Sequence, residues 1–190
     1  MKKIMLAVAL SFALALAFTA CSSAEPDDQP ATEEEAQVGV QEEAEQQTGM
    51  PNPWSDVESA DAAARGAGID GFAVADDLGM GDWQFAEVTY RCMDGIAEAD
   101  FDGGAFEVCV RKSGSLDGVE LSGDYNDYPY EWTQDCDGIT VNCRGYEEGQ
   151  ASAFDWKSGA NTFSVLLVGL GGENMSVDAD GVEAIVSSVQ

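Results

Sequence analysis

The chain contains no histidine, and only 8 of its 190 residues are lysine or arginine, against 36 aspartates and glutamates. The missing histidine excludes Ser-His-Asp and Cys-His nucleophilic sites and every His-ligated metal site. The scarcity of bases leaves a formal net charge of −28. Such a field repels phosphate backbones, so nucleic acid is excluded as a partner. No Cys-x-x-Cys pair occurs, which argues against a thiolate zinc site. No apolar run reaches the roughly 20 residues a membrane-spanning helix needs. The longest, from Ile4 to Phe18, is fifteen residues interrupted only by Ser11. No repeat of fixed period is present.

That run follows Met1-Lys2-Lys3 and leads into Phe18-Thr19-Ala20-Cys21. A short positive start, a brief apolar stretch and small residues before a polar segment have the form of a secretory signal peptide. The cysteine directly after the small residues resembles the lipobox of bacterial lipoproteins, with Phe18 where that family prefers Leu, Val or Ile. The resemblance implies cleavage before Cys21 and lipidation of Cys21. A single acyl chain anchors only marginally, whereas two or three hold a protein on a membrane for long times. The expected location is therefore the extracytoplasmic face of the cell membrane, with the lipid as the link to it.

Residues 22–50 carry nine acids, no base and no aromatic residue. They cannot bury enough apolar surface to offset chain entropy, and their like charges favour extension. The reading is a disordered acidic linker over 21–50 behind a signal peptide over 1–20. All tryptophans and tyrosines lie beyond Met50, so residues 51–190 form the single folded domain, with 27 acids against 6 bases.

Within the domain, Ser59 to Arg65 predicts a capped Ala-rich helix stopped by Gly66 and Gly68. Period-two alternation then marks strands over 84–92, 96–101 and 105–112. After a polar loop, 130–136 and 139–144 flank Asp137-Gly138, and 151–156 and 162–168 flank Lys157-Ser158-Gly159. Residues 178–189 close the chain with apolar residues at helical spacing. The expected fold is α+β: a curved antiparallel meander of about six or seven strands, with an N-terminal and a C-terminal helix on one face.

Cys92, Cys109, Cys136 and Cys143 are even in number, and outside the cytoplasm they are expected to form structural disulfides of undetermined pairing. With Asp137-Gly138 as a two-residue turn, Cys136 faces Ile139 and Cys143 faces Trp132. Those levels lie roughly 13 Å apart at about 3.3 Å per residue, too far for a disulfide. Pairing these two would need another register or a bulge.

Few motifs carry chemistry. Gly169-Leu-Gly-Gly172 lacks the third glycine of a dinucleotide loop, since position 174 is Asn. Glu98-Ala-Asp100-Phe-Asp102-Gly103 resembles the first half of a calcium loop, but its twelfth position is Cys109. Tyr125, Tyr128, Tyr130 and Trp132 cluster at a loop–strand junction and are candidates to line a ligand groove. No catalytic residue, cofactor or resident metal is expected.

Asn52-Pro53-Trp54, the Ala-rich helix, Arg111, Ser122-Gly123-Asp124-Tyr125-Asn126, and Trp156 with Gly159 together resemble a bacterial domain of unknown function. That domain occurs in secreted lipoproteins and in the outer parts of anti-sigma-type membrane regulators. The four domain cysteines depart from its pattern. The resemblance implies a fold similar to lipoprotein carriers and RseB-like stress sensors, which bind acyl chains or proteins on the sheet. The functional expectation is a non-enzymatic binding or sensing module whose partner is a protein or lipid. The alternatives are a hydrolase using paired carboxylates and a calcium-dependent structural or adhesion protein.

Overall fold

A computed structural model describes residues 52–190. Cys21, the signal-peptide-like segment 1–20 and the acidic segment 21–50 lie outside the described residues. The elements run β1 (Ser55–Val57), α1 (Ala60–Ala67), β2 (Glu87–Met93), β3 (Ile96–Asp102), β4 (Phe106–Ser113), α2 (Gly118–Ser122), β5 (Tyr130–Cys136), β6 (Ile139–Gly145), β7 (Ala153–Ser158), β8 (Asn161–Gly169) and α3 (Ala179–Ser188). No helix among the described residues is long and apolar enough to cross a membrane.

The eight strands form one antiparallel sheet in the order β1-β2-β3-β4-β8-β7-β6-β5. The expected antiparallel sheet is present, with β1 beyond the expected count. Two meanders, β1–β4 and β5–β8, are joined through β4 and β8. The chain leaves the sheet after Ser113 and crosses to the far edge before re-entering as β5. Only that connection breaks the pairing of sequence neighbours.

Tight turns set the registers. Asp137 and Gly138 both have positive φ, 51° and 86°, as a two-residue type I′ turn requires. Cys136 then pairs with Ile139 and Cys143 with Trp132, the register expected from the turn.

Alternation divides the sheet into two faces. One carries Ala97, Ala99, Phe101, Val108, Val110, Val165, Phe154, Trp156 and Val141 into a single core with α1 and α3. Ala63, Ala64 and Ala67 present α1, while Val182, Ile185 and Val186 present α3. Trp156 stacks on Phe163 with centroids 5.1 Å apart and planes 6° from parallel. The terminal helices thus share one face, as expected.

Helix α1 corrects one boundary. Ser59 caps it by accepting from Ala62 N at 3.2 Å, and Gly68 ends it with φ 71°. Gly66 does not stop the helix. It lies inside it, where a Cβ would overlap the Cys92 sulfur in β2. The glycine serves close helix–sheet approach.

The expected disulfides are absent: all four domain cysteines are free thiols. Topology supplies the reason. Cys109 shares the Glu98–Asp100 face, whereas Cys92, Cys136 and Cys143 join the helix-covered core. β3, β4, β8 and β7 intervene between Cys92 on β2 and Cys143 on β6. Cys136 and Cys143 share a face of adjacent strands, but four residues of register keep them apart.

Candidate functional site

The opposite face of the sheet carries the polar chemistry. Across β2, β3 and β4, three successive rungs place Arg91–Glu98–Arg111, Thr89–Asp100–Cys109 and Glu87–Asp102–Glu107 side by side. Glu98 is 0% exposed. Its Oε1 accepts from Arg91 Nε and its Oε2 from Arg111 Nε, both at 2.6 Å. Arg91 also donates from Nη2 to Asp100 at 2.7 Å. Trp54 spans both guanidiniums, with ring-centre distances of 5.3 Å to Arg91 and 5.4 Å to Arg111. Two cations on one buried carboxylate offset the desolvation that a lone buried charge would suffer.

Proton affinities separate here. Burial alone would raise the Glu98 carboxyl, but the Arg111 charge and hydrogen bonds from its neighbours outweigh it and hold it below its usual range. Burial, then the Glu98 charge, push Asp100 up to about 6. Burial, then Asp100 and Glu98, push the Cys109 thiol well above its usual range. Glu98, Asp100 and Cys109 bring donor atoms within 4.8 Å of one another. Both Glu98 oxygens are already committed to guanidiniums, whose charge repels a cation, so this donor set is poorly suited to a metal.

Arg111 links this network to α2. Its Nη1 donates to the carbonyls of Leu121 and Ser122 at 3.1 and 2.6 Å. Asp117 caps α2 by accepting from Glu120 N at 3.0 Å, and Gly123 ends it with φ 64°. Asp124 follows, nearly buried, and accepts from Asn126 N and Nδ2 at 3.1 and 2.7 Å and from the Tyr128 hydroxyl. The Ser122–Asn126 segment is therefore a hydrogen-bonded corner held to β4 by Arg111.

Between this corner and strands β5–β7 lies a groove of about 930 Å³. It is bordered by Asp117, Asp124, Glu131, Asn142, Arg144, Asp155 and Lys157, with Val119 and Tyr125 as apolar lining. Asp155 accepts from Asn142 Nδ2 at 2.9 Å and faces Arg144 Nη2 at 3.5 Å. Gly118 allows α2 to approach this surface, since a Cβ there would overlap the Asp155 side chain.

The four expected groove aromatics separate. Tyr125 borders the groove and is 78% exposed. Tyr128 packs against Tyr146, with ring centres 4.8 Å apart and planes tilted by 49°, and borders a neighbouring pocket with it. Burial and the Asp124 hydrogen bond raise its hydroxyl pKa above the usual range. Tyr130 is exposed on the edge strand and lines neither cavity. Trp132 borders the groove but packs against the helix-covered core. Adjacency in sequence did not become adjacency in the site: Tyr125 and Tyr128 belong to the corner before β5, while Tyr130 and Trp132, two residues apart, share the face of β5 that pairs through Trp132 with the core residue Cys143.

Arg144, Asn142 and Asp155 were not anticipated. Period two puts Asn142 and Arg144 on the face opposite Val141 and Cys143. Only the long crossover brings α2 over them. Five of the six cations among the described residues have partners within the fold: Arg65 with Asp61, Arg91 and Arg111 with Glu98, Lys112 with two backbone carbonyls, and Arg144 with Asp155. The outer surface is consequently dominated by carboxylates. No family model, no curated protein and no solved structure matches the chain.

Proposed function

We propose that the protein is a lipid-anchored, extracytoplasmic binding or sensing module without enzymatic activity, and that its ligand seats in the groove between α2 and β5–β7. The groove carries the reading. Its volume of about 930 Å³ falls in the size range of small-molecule and peptide sites. Two of its carboxylates are engaged within the fold: Asp124 accepts from Asn126 and Tyr128 through both oxygens, and Asp155 accepts from Asn142 through Oδ2. They hold the walls in place and are not poised for proton transfer.

The hydrolase alternative needs two reachable carboxylates whose proton affinities are driven apart. Glu98 and Asp100 are driven apart, but Glu98 has no exposed surface and both its oxygens face guanidiniums. A substrate cannot reach it, which favours binding over hydrolysis.

Two measurements test the proposal. Radiolabelled fatty acid fed to the native host should label the wild type and not Cys21→Ala; an unlabelled wild type overturns the anchor. Native mass spectrometry of the full-length protein purified from membranes should find a non-covalent ligand lost on Tyr125→Ala. A ligand-free spectrum under conditions that preserve known complexes overturns the binding reading.

A further inference from the structure

Three buried side-chain polar atoms among the described residues make no hydrogen bond: Arg144 Nε, Arg144 Nη2 and Ser152 Oγ. They belong to residues joined through the backbone, with Ser152 N donating to Arg144 O at 2.9 Å. Buried donors without acceptors are rare and costly, most of all on a charged group. The surroundings do not satisfy Arg144. Asp155 Oδ1 stands at 3.5 Å from Nη2, beyond good hydrogen-bond length, while its Oδ2 accepts from Asn142. The Tyr128 ring lies 6.0 Å from the guanidinium carbon and offers a π face in place of an acceptor. Glu131 is the cross-strand neighbour of Arg144, yet the two form no ion pair.

We propose that Arg144 is the anchor for a ligand carboxylate in the groove, and that the ligand is a zwitterion of the amino-acid or short-peptide class. The inference rests on the binding reading above. Seating the carboxylate trades the long Arg144–Asp155 contact for a paired, charge-assisted one, the geometry a guanidinium favours.

The rest of the groove narrows the class. Asp117, Asp124, Glu131 and Asp155 border it against two cations, Arg144 and Lys157. That excess of negative charge disfavours a phosphate dianion and favours a monoanion with an ammonium at its other end. Asp117 and Glu131 lie along the same groove to receive the ammonium. Val119 and Tyr125, 43% and 78% exposed, supply apolar surface for a side chain between the two charges.

Calorimetry on the full-length protein tests this with three probes: a mixture of free-acid dipeptides, the same dipeptides amidated at the C-terminus, and inorganic phosphate. The free acids should bind, the amides at least ten-fold more weakly, and phosphate should give no heat. Arg144→Met should abolish the preference for acid over amide, and Arg144→Lys should retain part of it, with circular dichroism confirming the fold of each. If Arg144→Met does not fold, the Arg144 Nε–H resonance of the wild type should still shift with the free acids and stay put with the amides. Equal affinity for acid and amide, or a free-acid affinity unchanged in Arg144→Met, overturns the anchor and leaves the groove reading standing. Silence with every dipeptide overturns the ligand class, while native mass spectrometry separately decides whether the protein binds a ligand at all.

Discussion

Glu98 and Asp100 point to the same face of β3, two residues apart, and hold their protons in opposite senses. Glu98 sits between Arg91 and Arg111 and stays ionised below its usual range. Asp100, buried beside that negative charge and paired with Arg91, is pushed up to about 6. The linkage signs follow. Asp100 binds its proton more tightly folded than unfolded, so stability falls as pH rises from about 4 to about 6. Glu98 binds its proton less tightly folded, so its contribution is present above the ordinary carboxylate range and lost as pH falls below it. Asp100→Asn should therefore raise the midpoint of thermal unfolding at pH 7 and leave it unchanged near pH 4. A variant less stable than wild type at pH 7 would contradict the assignment.

Removing Glu98 itself should be severe. Glu98→Gln leaves two guanidiniums facing a neutral amide, and breaking a buried pair from one side costs about 3–5 kcal/mol. Urea unfolding should show that loss at pH 7. A midpoint within error of wild type would mean the arginines find other partners.

The third rung, Glu87–Asp102–Glu107, sets carboxylates directly opposite one another with no cation between them. Like charges across strands cost roughly 0.2–1 kcal/mol per pair. Asp102→Asn should stabilise the fold by about that much, and the gain should shrink as salt screens the repulsion. A gain independent of salt would point to another cause.

At the helix–sheet contact, Gly66→Ala sets two effects against each other. Alanine in a helix interior gains about 1 kcal/mol over glycine, but its Cβ would press on the buried Cys92 sulfur, and overpacking costs about 1–3 kcal/mol. We expect net destabilisation, reversed to a net gain in the double variant with Cys92→Ala. The double-mutant cycle in urea measures that coupling, and additive effects would show that the helix simply shifts outward.

Thiol chemistry gives an independent check. Burial pushes Cys143 up to about 12, with Cys136 nearby adding to it, and Cys109 is raised well above its ordinary range. The thiolate is the reactive form, so Cys109 and Cys143 should resist aromatic disulfide reagents in the native state. In guanidinium, without reductant, all four domain cysteines should titrate. Fewer than four would reveal a disulfide the sheet register does not accommodate.

Much of the fold was legible locally because local chemistry decides it. Asp137-Gly138 demanded a turn with two positive φ values, and period-two patterns located the strands on either side. Ser59 and Asp178 announced helix starts, and the alanine stripe of α1 and the valines of α3 named the buried faces. What chain order could not supply was the route between Ser113 and Tyr130, because pairing neighbouring hairpins is only the commonest solution. By crossing to the far edge, that segment brings β4 against β8 and lays α2 across the polar face.

Residue identity and near-neighbour spacing in the sequence alone determined the charge, the lack of imidazole chemistry and the alternation of polar and apolar faces. The third dimension decided that Glu98 is sealed between two arginines, that the four domain thiols stand apart, and that Arg144 is left with unused donors beside a groove. Those outcomes depend on which strands become neighbours, and that is set by burying the whole apolar face at once.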